Sequence, residues 1–173
     1  DVDTYASYDI KVEFIGNNGY KTTLYDTMGT ECFVAGTKVL VENGYKNIED
    51  LQVGDYVYAL DLDTNERVLK KVIRKFEGQS DETFEITVNG EKIVATPKHK
   101  FYVVDKGWIR AAELEVGDIL NSLNNGKLEI TNIKHVKHDT PVNVYNLTVD
   151  DLHNYLVSND QLLVHNNASW GEL

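Results

Sequence analysis

The chain carries one cysteine, Cys32, and five histidines, His99, His135, His138, His153 and His165. With one thiol, no internal disulfide can form. A lone cysteine can be a small buried apolar residue, but its thiol is also a strong nucleophile near neutral pH, with a free pKa of about 8.5. A second reactive group stands near the other end, where the apolar run Leu162-Leu163-Val164 leads into His165 and Asn166. A carboxamide is a poor nucleophile and needs help, which an adjacent imidazole titrating near neutrality can give. His135 and His138 have a His-x-x-His spacing that suggests a metal, but no further ligand stands nearby in sequence. They read as surface histidines, and no metal or cofactor is expected.

The elements that must hold these groups read as strands. Ten Tyr, five Phe, many Val and Ile and only two Pro point to a β-rich chain, and helical periodicity is weak throughout. Phe84-Glu85-Ile86-Thr87-Val88 and Glu91-Lys92-Ile93-Val94-Ala95 alternate around Asn89-Gly90, a pair that supplies positive φ at low cost. Asn43-Gly44 predicts a second such turn after Val39-Leu40-Val41. Ile10, Val12 and Phe14, then Gly16-Asn17-Asn18-Gly19, then Tyr20, Thr22 and Leu24 predict a self-contained hairpin ahead of Cys32. Ile48–Leu51 and Ala111–Leu114 have room for one short helical turn each.

An internal repeat organises these strands. Gly44-Tyr45 followed by Leu51-Gln52-Val53-Gly54-Asp55 returns, without gaps, as Gly107-Trp108 followed by Leu114-Glu115-Val116-Gly117-Asp118, an offset of 107 − 44 = 63. Phe84–Val88 is echoed by Tyr145–Val149, offset 145 − 84 = 61. Two copies are too few for a solenoid, so they predict two β units that share one core, related by a pseudo-twofold. The repeated region opens just after Cys32 and closes near His165. It defines a domain over 32–166, with an upstream flank at 1–31 and a downstream stub at 167–173. A reactive residue at each border differs from an active site scattered through a core.

Four motifs now name a resemblance. Cys32-Phe33-Val34-Ala35-Gly36-Thr37 resembles the N-terminal splicing motif of the Hint superfamily, which holds inteins, bacterial intein-like domains and the Hedgehog autoprocessing domain. Thr96-Pro97-Lys98-His99 resembles its TxxH motif. Val144-Tyr145-Asn146-Leu147-Thr148-Val149 with His153-Asn154-Tyr155 resembles the penultimate motif, and Val164-His165-Asn166 the last. Each is weak alone; four in order, over essentially all of 32–166, are specific. The resemblance implies the all-β, horseshoe-shaped Hint fold with two pseudo-symmetric halves, and an autocatalytic activity without external substrate. Cys32 would attack the carbonyl of Glu31, giving a thioester and a free amine. His99 would protonate the leaving nitrogen, and Thr96 would steady His99 or the developing oxyanion. Asn166 would cyclise to a succinimide and free the chain from Asn167. His165 and His153 would assist, with their roles not separable from sequence.

Two positions depart from the splicing pattern. Asn167 stands where splicing needs Cys, Ser or Thr, and Asn146, a candidate of lesser weight, stands where splicing inteins carry Asp. Both concern the transfer between the two ends and leave both cleavages intact. The chain therefore resembles a bacterial intein-like domain of type A, with cleavage at each end as main outcome. Attack on the thioester by the freed amine of Asn167 leaves a route to some ligation. Rival readings are a fully splicing mini-intein with an altered residue 167, a Hedgehog-like domain using an external nucleophile, and a noncatalytic β binding module. The interval between the halves leaves no room for an endonuclease. A net charge of −11 argues against nucleic-acid or anionic-membrane binding. The expected partners are the chain's own flanks, in a monomer. The acidic start without Met reads as a piece of a longer host, of the secreted or surface bacterial kind the resemblance suggests, with no compartment legible.

Overall fold

The computed structural model of the chain describes residues 10–15, 21–26 and 31–165. The alternation around Asn89-Gly90 becomes the end of β7 (Glu66–Val88) turning into β8 (Glu91–Ala95). Asn89 and Gly90 take φ of 50° and 77°, the left-handed pair that a two-residue hairpin turn requires, and Val88 faces Glu91 across it. The earlier turn lies one residue before its expected place. Val41, the last residue of β4 (Lys38–Val41), pairs with Gly44, the first of β5 (Gly44–Asn47), so Glu42 and Asn43 make the turn. A contact distant in sequence bears on that register: Val39 faces Val157 of β13 (Asn154–Val157) on the other edge of β4.

The repeat is a repeat of hydrogen bonds. Single 3-10 turns form at Ile48–Asp50 and Ala111–Glu113. Ile48 N–H donates to the Thr37 carbonyl, and Ala111 N–H to the His99 carbonyl, both at 2.8 Å. Asp55 and Asp118 each receive the N–H three residues back on a carboxylate oxygen, at 2.9 and 2.8 Å. Gly54 and Gly117 share φ of 99° and donate to Val72 and Ile130. Thr37 and His99 thus occupy the same corner of the two halves.

What fuses the halves is a pair of long strands. β7 runs antiparallel to β12 (Gly126–Val149), from Ile130 opposite Val88 to Val149 opposite Val72. The echoed segments Phe84–Val88 and Tyr145–Val149 lie at the ends of these strands, as a pseudo-twofold demands. Pro141 falls where the ladder shifts register between Lys137 and Val142, a place where its missing N–H is tolerated. Residues of both halves, among them Leu51, Val57, Leu114 and Leu120, share one buried cluster with Phe33, Phe101 and Tyr155.

The site lies where the strands of both borders meet. β3 (Phe33–Val34) sits between β8 and β12, with Phe33 facing Ala95 on one side and Tyr145 on the other. β14 (Leu162–His165) lies between β13 and β9 (Lys100–Val103). Ahead of Cys32, β1 (Ile10–Ile15) and β2 (Lys21–Asp26) form the expected hairpin. It is not self-contained: β1 also pairs with Lys75–Gly78 of β7, extending the sheet of the domain. The reason is that β7, at 23 residues, outruns the partners along that edge.

Candidate active site

Cys32 is fully buried, one residue ahead of β3. Its peptide group is gripped by Thr96, just past the end of β8. The Cys32 N–H donates to Thr96 Oγ1 at 2.9 Å, and the Thr96 hydroxyl donates to the Cys32 carbonyl at 3.2 Å. The Thr96 N–H donates to that same carbonyl at 2.9 Å. Thr96 therefore holds the nitrogen of the Glu31–Cys32 bond, an arrangement that sequence reasoning did not anticipate. The pairing of Phe33 with Ala95 sets it up, since the next residue pair along the two strands is Cys32 and Thr96.

His99 follows the turn after Thr96 and is fully buried. Its ring packs 4.0 Å from the ring of Phe33 and 5.9 Å from that of Phe101, and neither nitrogen has a hydrogen-bond partner among the described residues. Burial lowers its pKa from 6.5 to about 4, against an upward pull from Glu31, through both its carboxylate and its backbone, and with a further downward push from His165. At neutral pH the ring is uncharged, so it can take a proton before it gives one.

The border residues converge on the same place. Glu31 is 8% exposed, and its carboxylate lies 3.9 Å from Lys100 Nζ and, through its other oxygen, 3.9 Å from His165 Nδ1. His165 packs edge-on against Trp108, ring centroids 5.1 Å apart. Asn154 and His165 are directly paired in β13 and β14. His153 precedes that pair with φ of 54°, and the Asn154 side chain fixes the turn by bonding both N–H and carbonyl of Leu60, at 2.8 and 2.9 Å. Asn166 and Asn167 lie outside the described residues.

Asn146 is buried in β12. Its Oδ1 accepts from Leu147 N–H at 2.8 Å and from the Tyr155 hydroxyl at 2.7 Å, while its Nδ2 has no hydrogen-bond partner among the described residues. Two donors on Oδ1 fix which way the amide faces. Burial holds the Tyr155 hydroxyl well above the usual phenol pKa, with Cys32 and then Glu31 adding to it. Tyr155, which lay within the penultimate motif but was given no role, and Lys100, whose only signal was adjacency to His99, are the polar members that sequence reasoning did not assign. His135 and His138 stand apart from the site. His135 stacks on Phe84 and bonds Glu82 at 2.7 Å, and His138 bonds Thr83 at 2.8 Å. Among the described residues no group of three or more His, Cys, Asp or Glu is arranged to hold a metal.

Comparison with known proteins agrees with this architecture. A solution structure of a bacterial intein-like domain from Clostridium thermocellum is similar at 39% identity, over 78% of this chain and 98% of that one, with a TM-score of 0.75. The crystal structure of the TvoVMA intein, at 20% identity, shares the fold over 80% of this chain and 99% of its own, TM-score 0.69. A stretch of 98 residues is 31% identical to part of the ATP-dependent DNA helicase Hel308 of Methanocaldococcus jannaschii, spanning 55% of this chain but 8% of that protein. The model of the pretoxin HINT domain matches residues 38–167. With the duplicated all-β body, and with the borders of that body folded back onto one buried site, the match places this chain in the pretoxin HINT domain family, a self-processing type of domain.

Proposed function

We propose that the domain cuts its own chain at both borders, by an N–S acyl shift at Glu31–Cys32 and by cyclisation of Asn166 at Asn166–Asn167. The observation that carries the reading is the grip of Thr96 on the Cys32 N–H, at the one bond whose nitrogen belongs to the only thiol. Attack of the thiol on the Glu31 carbonyl forms a C–S bond and breaks the C–N bond, and the thiol proton must reach the departing nitrogen. His99, neutral at pH 7, takes that proton from sulfur and delivers it to nitrogen. Thr96 keeps the nitrogen in place throughout. Water then hydrolyses the thioester. At the other border the Asn166 amide nitrogen attacks its own backbone carbonyl, with His165 and His153 as the acid and base.

Cleavage is favoured over splicing because Asn167 offers no hydroxyl or thiol to accept the upstream chain, and Asn146 offers no carboxylate. The substrates are the chain's own flanks, and the domain acts once, as a monomer, without cofactor, nucleic acid or membrane. The test is intact mass over time on a fusion with longer flanks, with and without dithiothreitol. Fragments ending at Glu31 and Asn166, the first accelerated by thiol, support the reading. A flank-to-flank product means splicing, and an inert fusion refutes self-processing. Cys32→Ala should stop only the upstream cut and Asn166→Ala only the downstream one; an upstream cut that survives Cys32→Ala rules out the thioester.

A further inference from the structure

The edge of β7 that does not face β12 is shared out in segments. β6 (Tyr56–Asp61) covers it as far as Lys71, and β8 covers it from Phe84 onward. Between them β1, from the segment ahead of the upstream bond, pairs with Lys75–Gly78. The residue types at these positions are complementary. Lys11 stands opposite Glu77, Glu13 opposite Lys75, and Val12 opposite Phe76 between them. Residue types alternating in this way favour one register over its neighbours, while on β7 itself Lys75 is buried, donating to the Glu49 carbonyl at 2.7 Å and lying 3.3 Å from the Glu77 carboxylate. A shift of two residues, the smallest that preserves which face each residue occupies, breaks at least one of the charge matches.

The register also sets a leash on the upstream bond. Asp26, Ile10, Gly78, Val144 and Val34 form one row across five strands. Four strand spacings put Asp26 about 19 Å from Val34. The 34 − 26 = 8 links between them reach at most about 29 Å. Once the hairpin is docked, that span takes up about two-thirds of the reach, which narrows the directions from which the chain can approach Glu31.

We propose that Lys75–Gly78 of β7 is a recognition edge for the upstream flank, which binds by strand addition and thereby positions the Glu31–Cys32 bond for attack. The partner class is an extended segment alternating charge and apolar residues, supplied in cis. The positioning role rests on the cleavage reading given above; the docking does not.

Two measurements keep these apart. In the full chain silenced by Cys32→Ala and Asn166→Ala, amide exchange is read at 75–78 and, as reference, at 84–88. Val12→Pro, which removes a backbone donor from β1, should speed exchange at 75–78 by about tenfold or more and leave 84–88 unchanged. Lys11→Glu should speed it by about two- to fivefold. Equal exchange at 75–78 in the parent and in both single variants overturns the docking. In the active chain Val12→Pro should slow the upstream cut by about tenfold, with the downstream cut unaltered. Altered exchange without any change in upstream rate overturns the positioning role. A parent that never cuts overturns the cleavage reading and leaves the exchange result standing.

Discussion

The carboxylate of Glu31 lies 3.9 Å from Nδ1 of His165. One residue immediately precedes the upstream bond and the other immediately precedes Asn166, so 134 positions of sequence separation (165 − 31) collapse to one contact. Lys100 holds the other carboxylate oxygen at 3.9 Å. On the proposed reading the two cuts share this one polar contact, and Glu31 would leave with the upstream fragment.

The field of the Glu31 carboxylate is measurable on His99. Glu31 pulls the imidazole pKa upward, against burial. In a Cys32→Ala chain, titration by NMR should show His99 neutral down to a pKa of about 4. Adding Glu31→Gln should move the midpoint lower still. An unchanged midpoint would separate the two groups electrostatically.

Stability should follow the same proton. Between pH 6.5 and about 4 the unfolded chain binds a proton that the folded His99 refuses. Stability therefore falls as pH drops through that window and levels off below it, by about 3 kcal/mol from this one group. Urea unfolding across the window, in the silenced chain, should show the slope, and His99→Gln should lose this part of it.

His99→Leu should separate fold from chemistry. It removes two buried ring nitrogens that have no hydrogen-bond partner among the described residues, beside Phe33 and Phe101. The variant should be as stable as the parent or about 1 kcal/mol more so. Its upstream cut should slow by about 10²- to 10⁴-fold. A destabilised variant would mean that the ring is held by bonds its geometry does not suggest.

Thr96→Ala strips the Cys32 N–H of its acceptor. It should cost about 1–3 kcal/mol of stability. The upstream cut should slow by about tenfold or more, with the downstream cut intact. Thr96→Ser keeps the hydroxyl and should recover most of the rate, read from the time course of the upstream fragment.

Asn146→Asp together with Asn167→Cys should shift the product from two fragments toward one ligated flank pair. Tyr155 already donates to the Asn146 side-chain oxygen, so a carboxylate there would keep one charge-assisted bond. Mass analysis of the products decides it; unchanged fragment ratios would show that neither position limits ligation.

Much of this architecture was legible because it is local or repeated. Asn89-Gly90 declares its own turn, and the 63-residue echo announces two halves, since a glycine at positive φ and an aspartate folding back on its turn are needed wherever that corner occurs. Cys32, His99 and His165 could be picked by chemistry and motif. Cross-strand register could not. The turn at Glu42-Asn43 is tied to Val157, the addition of β1 depends on how far β7 runs past its partners, and the grip of Thr96 follows from Phe33 facing Ala95. None of these pairings leaves a mark on neighbouring residues.

The corner shared by Thr37 and His99 has a consequence for how such a domain acquires reactivity. At Thr37 the side-chain hydroxyl turns back and donates to the Val34 carbonyl at 2.8 Å, so that corner is satisfied by its own surroundings. At His99 the same backbone carries a fully buried ring, whose nitrogens have no hydrogen-bond partner among the described residues. On the proposed reading, one copy of the corner only supports the fold while its counterpart carries the proton shuttle. What differs between the two corners is therefore the enclosure of the side chain, half-buried at Thr37 and sealed at His99, and not the backbone that carries it.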